Sequence, residues 1–489
     1  MPTIEEQRDG LYKRLVDRRP DVTRLFRYYR GDHPLPWADD KIRDAYLALM
    51  KIARANWCRL IVQAPAERLR VLGLRFSEEP RGDEPSDTDV WRRMWQGNRM
   101  DLQSRMIHNA ALVARRSFVL VWPRTGRAPR MTAEHPSQVI VDYAPGDPTV
   151  RVAALKAFTD ANAGREFCVM WTPDEVRHWW RPWTALTGDT ARLVSLGGGT
   201  LHGDWRPWDD PAAGITAAAG NPVGEVPVIE YQAHPEMVDE PMGELDGGVT
   251  EVQDRINKTV LDRLVTSNFA SFRQRWATGL EIPKDDQGND IEPFQTAVNR
   301  LWIAEDSEAR FGEFSVSDLK NYLDSVEADV QHLAATTRTP PHYLLGQQGA
   351  FPSGDSLKAT ETGLVAKTLE IRDSFTESHE DAARLWLRIN GDPRADDDAL
   401  SMLWQNPESR SDAELHDAAT KKMAVGVPWR SIMEYLGYSP QEIERMDAER
   451  AEDAATAALA APAPMLALPP GRPPAAAPPA LPRPAEVLA

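Results

Sequence analysis

Residues 349–356 read GAFPSGDS, one substitution away from the loop G-x-x-x-x-G-K-[ST] that cradles nucleotide phosphates. In that loop the lysine reaches the terminal phosphates and the following hydroxyl binds magnesium. Asp355 stands at the lysine position and would put an anion where the phosphates must lie. The loop also needs a strand before it. Upstream, Leu319, Tyr322, Leu323, Val326, Val330, Leu333 and Ala334 instead recur at helical spacing. The pattern argues against a nucleotide site, so Gly346, Gly349 and Gly354 need another role.

Other chemistries lose their partners in the same way. His379-Glu380 begins like a zinc-protease helix, but the residue four after His379 is Ala383. No G-x-S-x-G elbow occurs, and neither Cys58 nor Cys168 has a base beside it in sequence. DPRADDD (392–398) lacks the glycine and distal glutamate of a calcium loop and reads as a solvated acidic turn. Asn257-Lys258-Thr259 falls inside a helical stretch, against a glycosylation acceptor. The motifs predict no catalytic residues, no metal site and no cofactor.

Composition sets wider bounds. The chain has 489 residues, 42% of them hydrophobic, enough for a sizeable core and more than one domain. A net charge of −17 repels nucleic acid as a whole and argues against tight general DNA binding. Two cysteines cannot form a disulfide framework and fit a reducing compartment. No apolar run reaches about 18 residues, and the charged start MPTIEEQRDGLYKR is unlike a signal peptide. The expectation is a soluble intracellular protein.

The elements that would position any site follow a definite order. Leu11, Leu15, Val22, Leu25 and Phe26 predict short amphipathic helices broken at Pro20, and helical patterns continue over 42–69 and 90–114. Residues 117–231 change period. SFVLVW, QVIVDY, VRVAALKAF, EFCVMW and PVIEY read as strands, with a mobile insertion at 196–222. Val249, Val252, Ile256, Val260, Leu264 and Val265 then mark a long helix that extends through Phe269 and Phe272 to Trp276. After a turn-rich stretch, a second helix covers 317–337, and beyond the glycine loop a third runs from Asp355 to about Asn390. Ser411-x-x-Glu414 and Ser439-x-x-Glu442 open C-terminal helices. From Gly391 to Thr456, 15 acidic against 7 basic residues leave a net charge of −8. The Ala/Pro-rich stretch 461–489 cannot form a core and is expected to be disordered.

This order of parts resembles the portal proteins of tailed bacteriophages, the head-to-tail connectors of the siphovirus type. YYRGDHPLPW (28–37), NWCRLIVQAPAERLRVLGLRF (56–76), HPSQVIVDYAPGD (135–147) and TPPHYLLGQQGAFPSGDSLKATETGL (339–364) look like that family, over about residues 20–450. The resemblance implies an α+β, mostly helical portal fold. Residues 1–240 would be N-terminal helices and a β-rich wing, 241–277 and 316–338 stem helices, and 278–315 a small mixed clip. Residues 339–354 would be a tunnel loop, 355–390 a long wing helix, and 391–460 a helical crown. It further implies a non-catalytic ring, usually of twelve copies, at one capsid vertex of the virion, assembled in the host cytoplasm. Double-stranded DNA would be packaged and ejected through it. Partners would be a separate terminase motor, a head-to-tail adaptor, and the major capsid and scaffolding proteins.

Physics is consistent with the loop assignment. Every phosphate neutralised by Lys or Arg adds a salt-dependent increment of binding, so a ring of basic loops would brake the duplex. The stretch Gly346, Gln347, Gln348, Gly349, Ala350, Phe351, Pro352, Ser353 and Gly354 has no basic residue, and its glycines supply backbone freedom. Lys358 and Lys367, on the helix that follows, are candidates for sparse positive rings along the channel or for plain solvated lysines. Charged Asp254, Lys258 and Asp262, opposite the apolar stripe of the first stem helix, would suit a ring whose subunits line water on one side. Two alternatives stand beside this reading: another capsid-associated structural protein such as a minor head protein, and a nucleotide-dependent enzyme using the 349–356 loop.

Overall fold

The computed structural model describes residues 3–37, 40–77, 85–184, 200–201, 203–271, 275–278, 310–313, 318–346, 354–408 and 412–460. The chain divides into two compact units, Met1–Pro440 and Gln441–Ala489.

The first helix, α1 (Ile4–Arg30), opens with a capping box in which Thr3 accepts the Glu6 amide and the Glu6 carboxylate accepts the Thr3 amide. It runs unbroken through Pro20, where the sequence predicts a break. Proline removes one backbone bond. Tertiary contacts on the turns before it offset the loss: Leu11 and Leu15 enter the sheet core, and Arg18 and Arg19 donate to the strand-connecting carbonyls of Pro136 and Ser137 at 2.7 and 2.9 Å. Gly31, at φ 79°, ends the helix in the left-handed region that favours glycine.

Next come α2 (Asp40–Ala53), α3 (Trp57–Ala66), β1 (Val71–Arg75), α4 (Asp87–Met94), a 3-10 turn at Gln96–Asn98 and α5 (Met100–Ala114). The β-rich region holds β2 (Arg116–Arg124), β3 (Arg127–Glu134), β4 (Val139–Ala144), β5 (Asp147–Asp160), β6 (Arg165–Trp171) and β7 (Glu175–Thr184). It continues with β8 (Thr200–Leu201), β9 (Arg206–Pro207), β10 (Ala218–Gly220) and β11 (Val228–Gln232). Strands β4 to β7 form an antiparallel meander, and β11–β2–β3 form a second antiparallel sheet. The described part of 196–222, expected to be mobile, instead completes the meander: β8, β9 and β10 all pair with β7. Trp208 packs on Phe167 with ring centroids 4.3 Å apart, and Trp205 meets Tyr12 edge-on at 5.3 Å. The half-buried Trp205 and Trp208 add side-chain packing to this strand pairing.

The helical half contains α6 (Val249–Ser271), β12 (Arg275–Thr278), β13 (Arg310–Glu313), α7 (Lys320–Thr336), α8 (Pro341–Leu345) and the 37-residue α9 (Gly354–Asn390). The helix expected to reach Trp276 stops at Ser271, and Trp276 lies in β12, paired with Gly312 of β13. A ladder with a partner far along the chain overrides the local helical period there. Last come β14 (Ser401–Trp404), α10 (Asp412–Ala424), α11 (Trp429–Tyr435) and α12 (Pro440–Ala460). The stretch 391–460, expected to be helical throughout, contains β14, which pairs antiparallel with β1. The tail 461–489 lies outside the described residues.

One large apolar cluster joins these parts. Val22 of α1, Ile61 of α3, Trp95, Ile107 of α5, Ile256 of α6, Val330 of α7 and Phe375 and Trp386 of α9 are all buried in it. Truncating an aromatic at such a site costs about 3–5 kcal/mol. The fold is α+β, with the helices carrying the larger share.

Candidate functional site

The segment around the glycine loop is built on rigid anchors. Helix α7 ends at Thr337, whose hydroxyl donates to the Leu333 carbonyl at 2.7 Å. Pro341 occupies the first position of α8, where its missing N–H costs nothing. Helix α8 is fastened to α3: the Trp57 indole donates to the Leu344 carbonyl at 3.1 Å, and Arg68 donates to the Tyr343 hydroxyl at 2.8 Å. Arg68 also pairs with Glu361 on the early turns of α9 at 3.3 Å and donates to the Pro407 carbonyl at 2.6 Å. A single arginine therefore binds the segments on both sides of the loop. Its planar, multi-donor guanidinium suits this role where a lysine would not.

The chain leaves the anchor at Gly346, exposed and at φ 67°, a conformation glycine adopts without strain. Helix α9 begins at Gly354. Gln347, Gln348, Gly349, Phe351, Pro352 and Ser353 lie outside the described residues. What precedes them is a helix, so the strand that a phosphate-cradling loop requires is missing from that side.

The two candidate lysines separate sharply. Lys358 is about half exposed on the first turns of α9 and pairs with Glu414 of α10. Lys367 faces no open surface of this subunit. It is buried, 2.7 Å from Glu244 and 2.6 Å from the Thr337 carbonyl. This corrects the expectation of an exposed cation. Burial alone would raise the Glu244 carboxyl, but Lys367 and His234, whose Nε2 lies 3.1 Å away, hold it below its ordinary value. A sequence signal for this was present: Lys367 falls between Leu364 and Ile371 on the apolar stripe of α9, where a solvated cation has no place.

The helices α6 and α7 lie antiparallel, joined by Arg255 to Asp329 at 2.9 Å near one end and by Thr266 to Tyr322 at 3.3 Å near the other. Both lead into the two-stranded ribbon β12–β13, beyond which 279–309 lie outside the described residues. Buried amides lock α6 to the α2–α3 linker: Gln253 accepts the Trp57 amide at 3.0 Å and Asn257 accepts the Ala55 amide at 3.1 Å. The charged face expected on α6 is largely paired within the subunit. Asp254 accepts the Tyr28 hydroxyl at 2.6 Å, and Lys258 binds Asp262.

Behind α9 sits a buried polar chain that sequence reasoning missed. His108 and His379 approach Nε2 to Nε2 at 2.9 Å, and the Tyr231 hydroxyl lies 3.0 Å from His379 Nδ1. Phe375, Trp95 and Trp404 pack around the two rings. Desolvation pushes His108 down to about 3 and His379 well below the ordinary imidazole value, so both are neutral near pH 7. Buried Cys58 has its thiol pushed up to about 12 by desolvation, and Cys168 is raised likewise, so neither is a nucleophile. Among the described residues no group of three His, Cys, Asp or Glu could hold a metal ion. No described helix is long and apolar enough to cross a membrane.

Comparison with known proteins covers nearly the whole chain. A family model described as phage portal protein, SPP1 Gp6-like, matches residues 11–456. The portal protein of Mycobacterium phage D29 is 25% identical over 427 residues, spanning 83% of this chain and 80% of that protein. The portal protein of Mycobacterium phage L5 is 25% identical over 424 residues, with the same 83% and 80% spans. Among solved structures, a chain in the neck of an empty GTA particle is similar at 12% identity and a TM-score of 0.38, over 83% of this chain and 96% of that one.

Proposed function

Because this chain belongs to the SPP1 Gp6-like family of phage portal proteins, we propose that its copies, twelve in number, close into a ring around a channel that passes double-stranded DNA. As a portal protein it is a structural component of the virion. The continuous family match over 11–456 carries the reading, because it takes in the antiparallel helix pair, the ribbon and the loop segment together.

In this reading α6 and α7 are the stem, and 278–315 is the clip that meets a head-to-tail adaptor. Residues 1–240 and 355–390 form the wing, and 391–460 the crown. Residues 339–354 are the tunnel loop. Rigid anchors on either side of a short segment without Lys or Arg support this role. The flanks fix where the loop projects, and the absence of cations lets a polyanion slide past. Lys358 remains the candidate for a basic position beside the channel, and its Glu414 partner would leave little net charge there. The role is structural and non-catalytic. A separate terminase supplies the ATPase, the ring sits at one capsid vertex among the major capsid and scaffolding proteins, and it assembles in the host cytoplasm.

Negative-stain imaging of the purified chain tests the proposal. Rings with an axial hole are expected, and a compact monomer at all concentrations overturns it.

A further inference from the structure

The acidic chain carries a strongly basic segment in its first third. Between Val90 and Ala133 it has nine arginines and a single acidic residue, Asp101, against a net charge of −17 for the whole. Some of these arginines are neutralised within the subunit. Arg92 pairs with Asp89, Arg115 with Asp21 and Asp246, and Arg116 with Glu230 and Glu240. Arg93 lies in the field of Asp392, and Arg105 stands one turn from Asp101.

Four remain together with no carboxylate partner among the described residues: Arg99, Arg124, Arg127 and Arg130, all exposed. The fold brings them to one place. Arg124 and Arg127 face each other across the tip of the β2–β3 hairpin, and Arg130 follows on β3 opposite Trp122. Asn98 reaches across to the same strand, donating to the Pro129 carbonyl at 3.2 Å and accepting the Met131 amide at 3.0 Å. Arg99 follows directly on Asn98, which these bonds hold against β3. The three hairpin arginines thus span about 10 Å of strand at about 3.4 Å per residue.

We propose that this hairpin face binds the phosphate backbone of duplex DNA. Two observations favour a nucleic acid over an acidic protein segment. The hairpin 116–134 exposes no large apolar side chain, whereas protein docking usually rests on a buried aromatic or aliphatic anchor. Duplex DNA also presents a charge about every 1.7 Å, against at most one per about 3.3–3.6 Å of extended peptide. It meets a tight arginine cluster without first ordering a flexible chain. The site is local, so the net negative charge does not forbid it: the Debye length is about 8 Å at physiological salt.

The site is also distinct from the loop. The Trp386 indole donates to the Pro129 carbonyl at 3.0 Å, tying the hairpin to the far end of α9. From Gly354 to Trp386 the helix runs about 48 Å at about 1.5 Å per residue. DNA held at the hairpin is therefore a contact separate from anything at 347–353, and it does not depend on the ring reading.

The test titrates the full chain with a labelled duplex over a range of salt. Each phosphate contact contributes about −0.9 to the slope of log K against log salt, so a slope of about −3 to −4 is expected. Arg124→Gln/Arg127→Gln/Arg130→Gln should flatten the slope by about 2.7 and weaken binding at least tenfold at about 50 mM salt. If the triple variant fails to fold, each single variant should still remove about 0.9 from the slope. A chain lacking 347–353 should bind as the parent does. Absence of duplex binding at low salt, an unchanged slope in the variants, or loss of binding only on deleting the loop each overturns the proposal. So does competition by poly-glutamate at equal charge, which would assign the face to an acidic protein segment.

Discussion

The Lys367 ammonium sits 2.7 Å from the Glu244 carboxylate and is buried with it, although the two residues lie on elements far apart in the chain. With the Thr337 carbonyl as its second polar neighbour, this cation ties α9 to the segment before α6 and to the end of α7. It joins the helix after the loop to both helices of the antiparallel pair.

Removing one partner of such a pair leaves an uncompensated buried charge. Lys367→Ala should lower unfolding stability by about 3–5 kcal/mol, while Lys367→Met with Glu244→Gln should recover most of that loss. Denaturant unfolding of both variants measures this. A loss under about 1 kcal/mol in the single variant would show that the pair is solvated.

The His108–His379 pair predicts a pH dependence. Both imidazoles are held neutral in the folded chain, with values depressed from 6.5. Their stabilising contribution is therefore complete above about pH 6.5 and declines as pH falls through that value. Stability should drop by about 2–3 kcal/mol between pH 7 and 5.5 for the two together. The depressed carboxylates Glu244 and Asp246 act at lower pH, whereas burial also depresses His33, His135 and His178, which add to the slope in the same window. In His108→Gln/His379→Gln the slope should flatten, whatever the absolute stability, and an unchanged slope would assign the effect to other groups.

Arg68 should control the mobility of the loop flanks. Arg68→Ala removes the contacts to Tyr343, Glu361 and Pro407 at once and leaves Glu361 largely buried. A cost of about 2–3 kcal/mol is expected. Limited proteolysis should show faster cleavage near 346–354. Equal cleavage rates would mean that Trp57 alone holds α8.

Deleting 347–353 should leave ring assembly intact and reduce DNA packaging or retention. Imaging tests the first part and infectious titre the second. Full-titre particles from the deletion would remove the tunnel-loop role.

Much of the helical architecture is legible in short-range pattern. The stripe from Val249 to Val265 and the stripe of α9 are read from spacing alone, because a helix brings residues three and four apart onto one face. The strands of 117–231 show in β-branched and aromatic runs between turn residues. Missing catalytic motifs and the order of parts are equally legible, and with them the likeness to phage portal proteins. None of this needs a partner from elsewhere in the chain.

What the pattern does not carry is contact between distant segments. Pro20 stays helical because Arg18, Arg19, Leu11 and Leu15 find the sheet, and Trp276 becomes a strand residue because Gly312 comes alongside it. Lys367 is buried because Glu244 waits there, and His108 meets His379 across more than half of the chain. Arg124, Arg127 and Arg130, which have no carboxylate partner among the described residues, come together only once the hairpin is folded. Local sequence determined which segments could be helix or strand. Tertiary structure alone decided which charges are neutralised and which stay free, because Coulomb and desolvation energies depend on distances between residues that the linear order leaves unspecified.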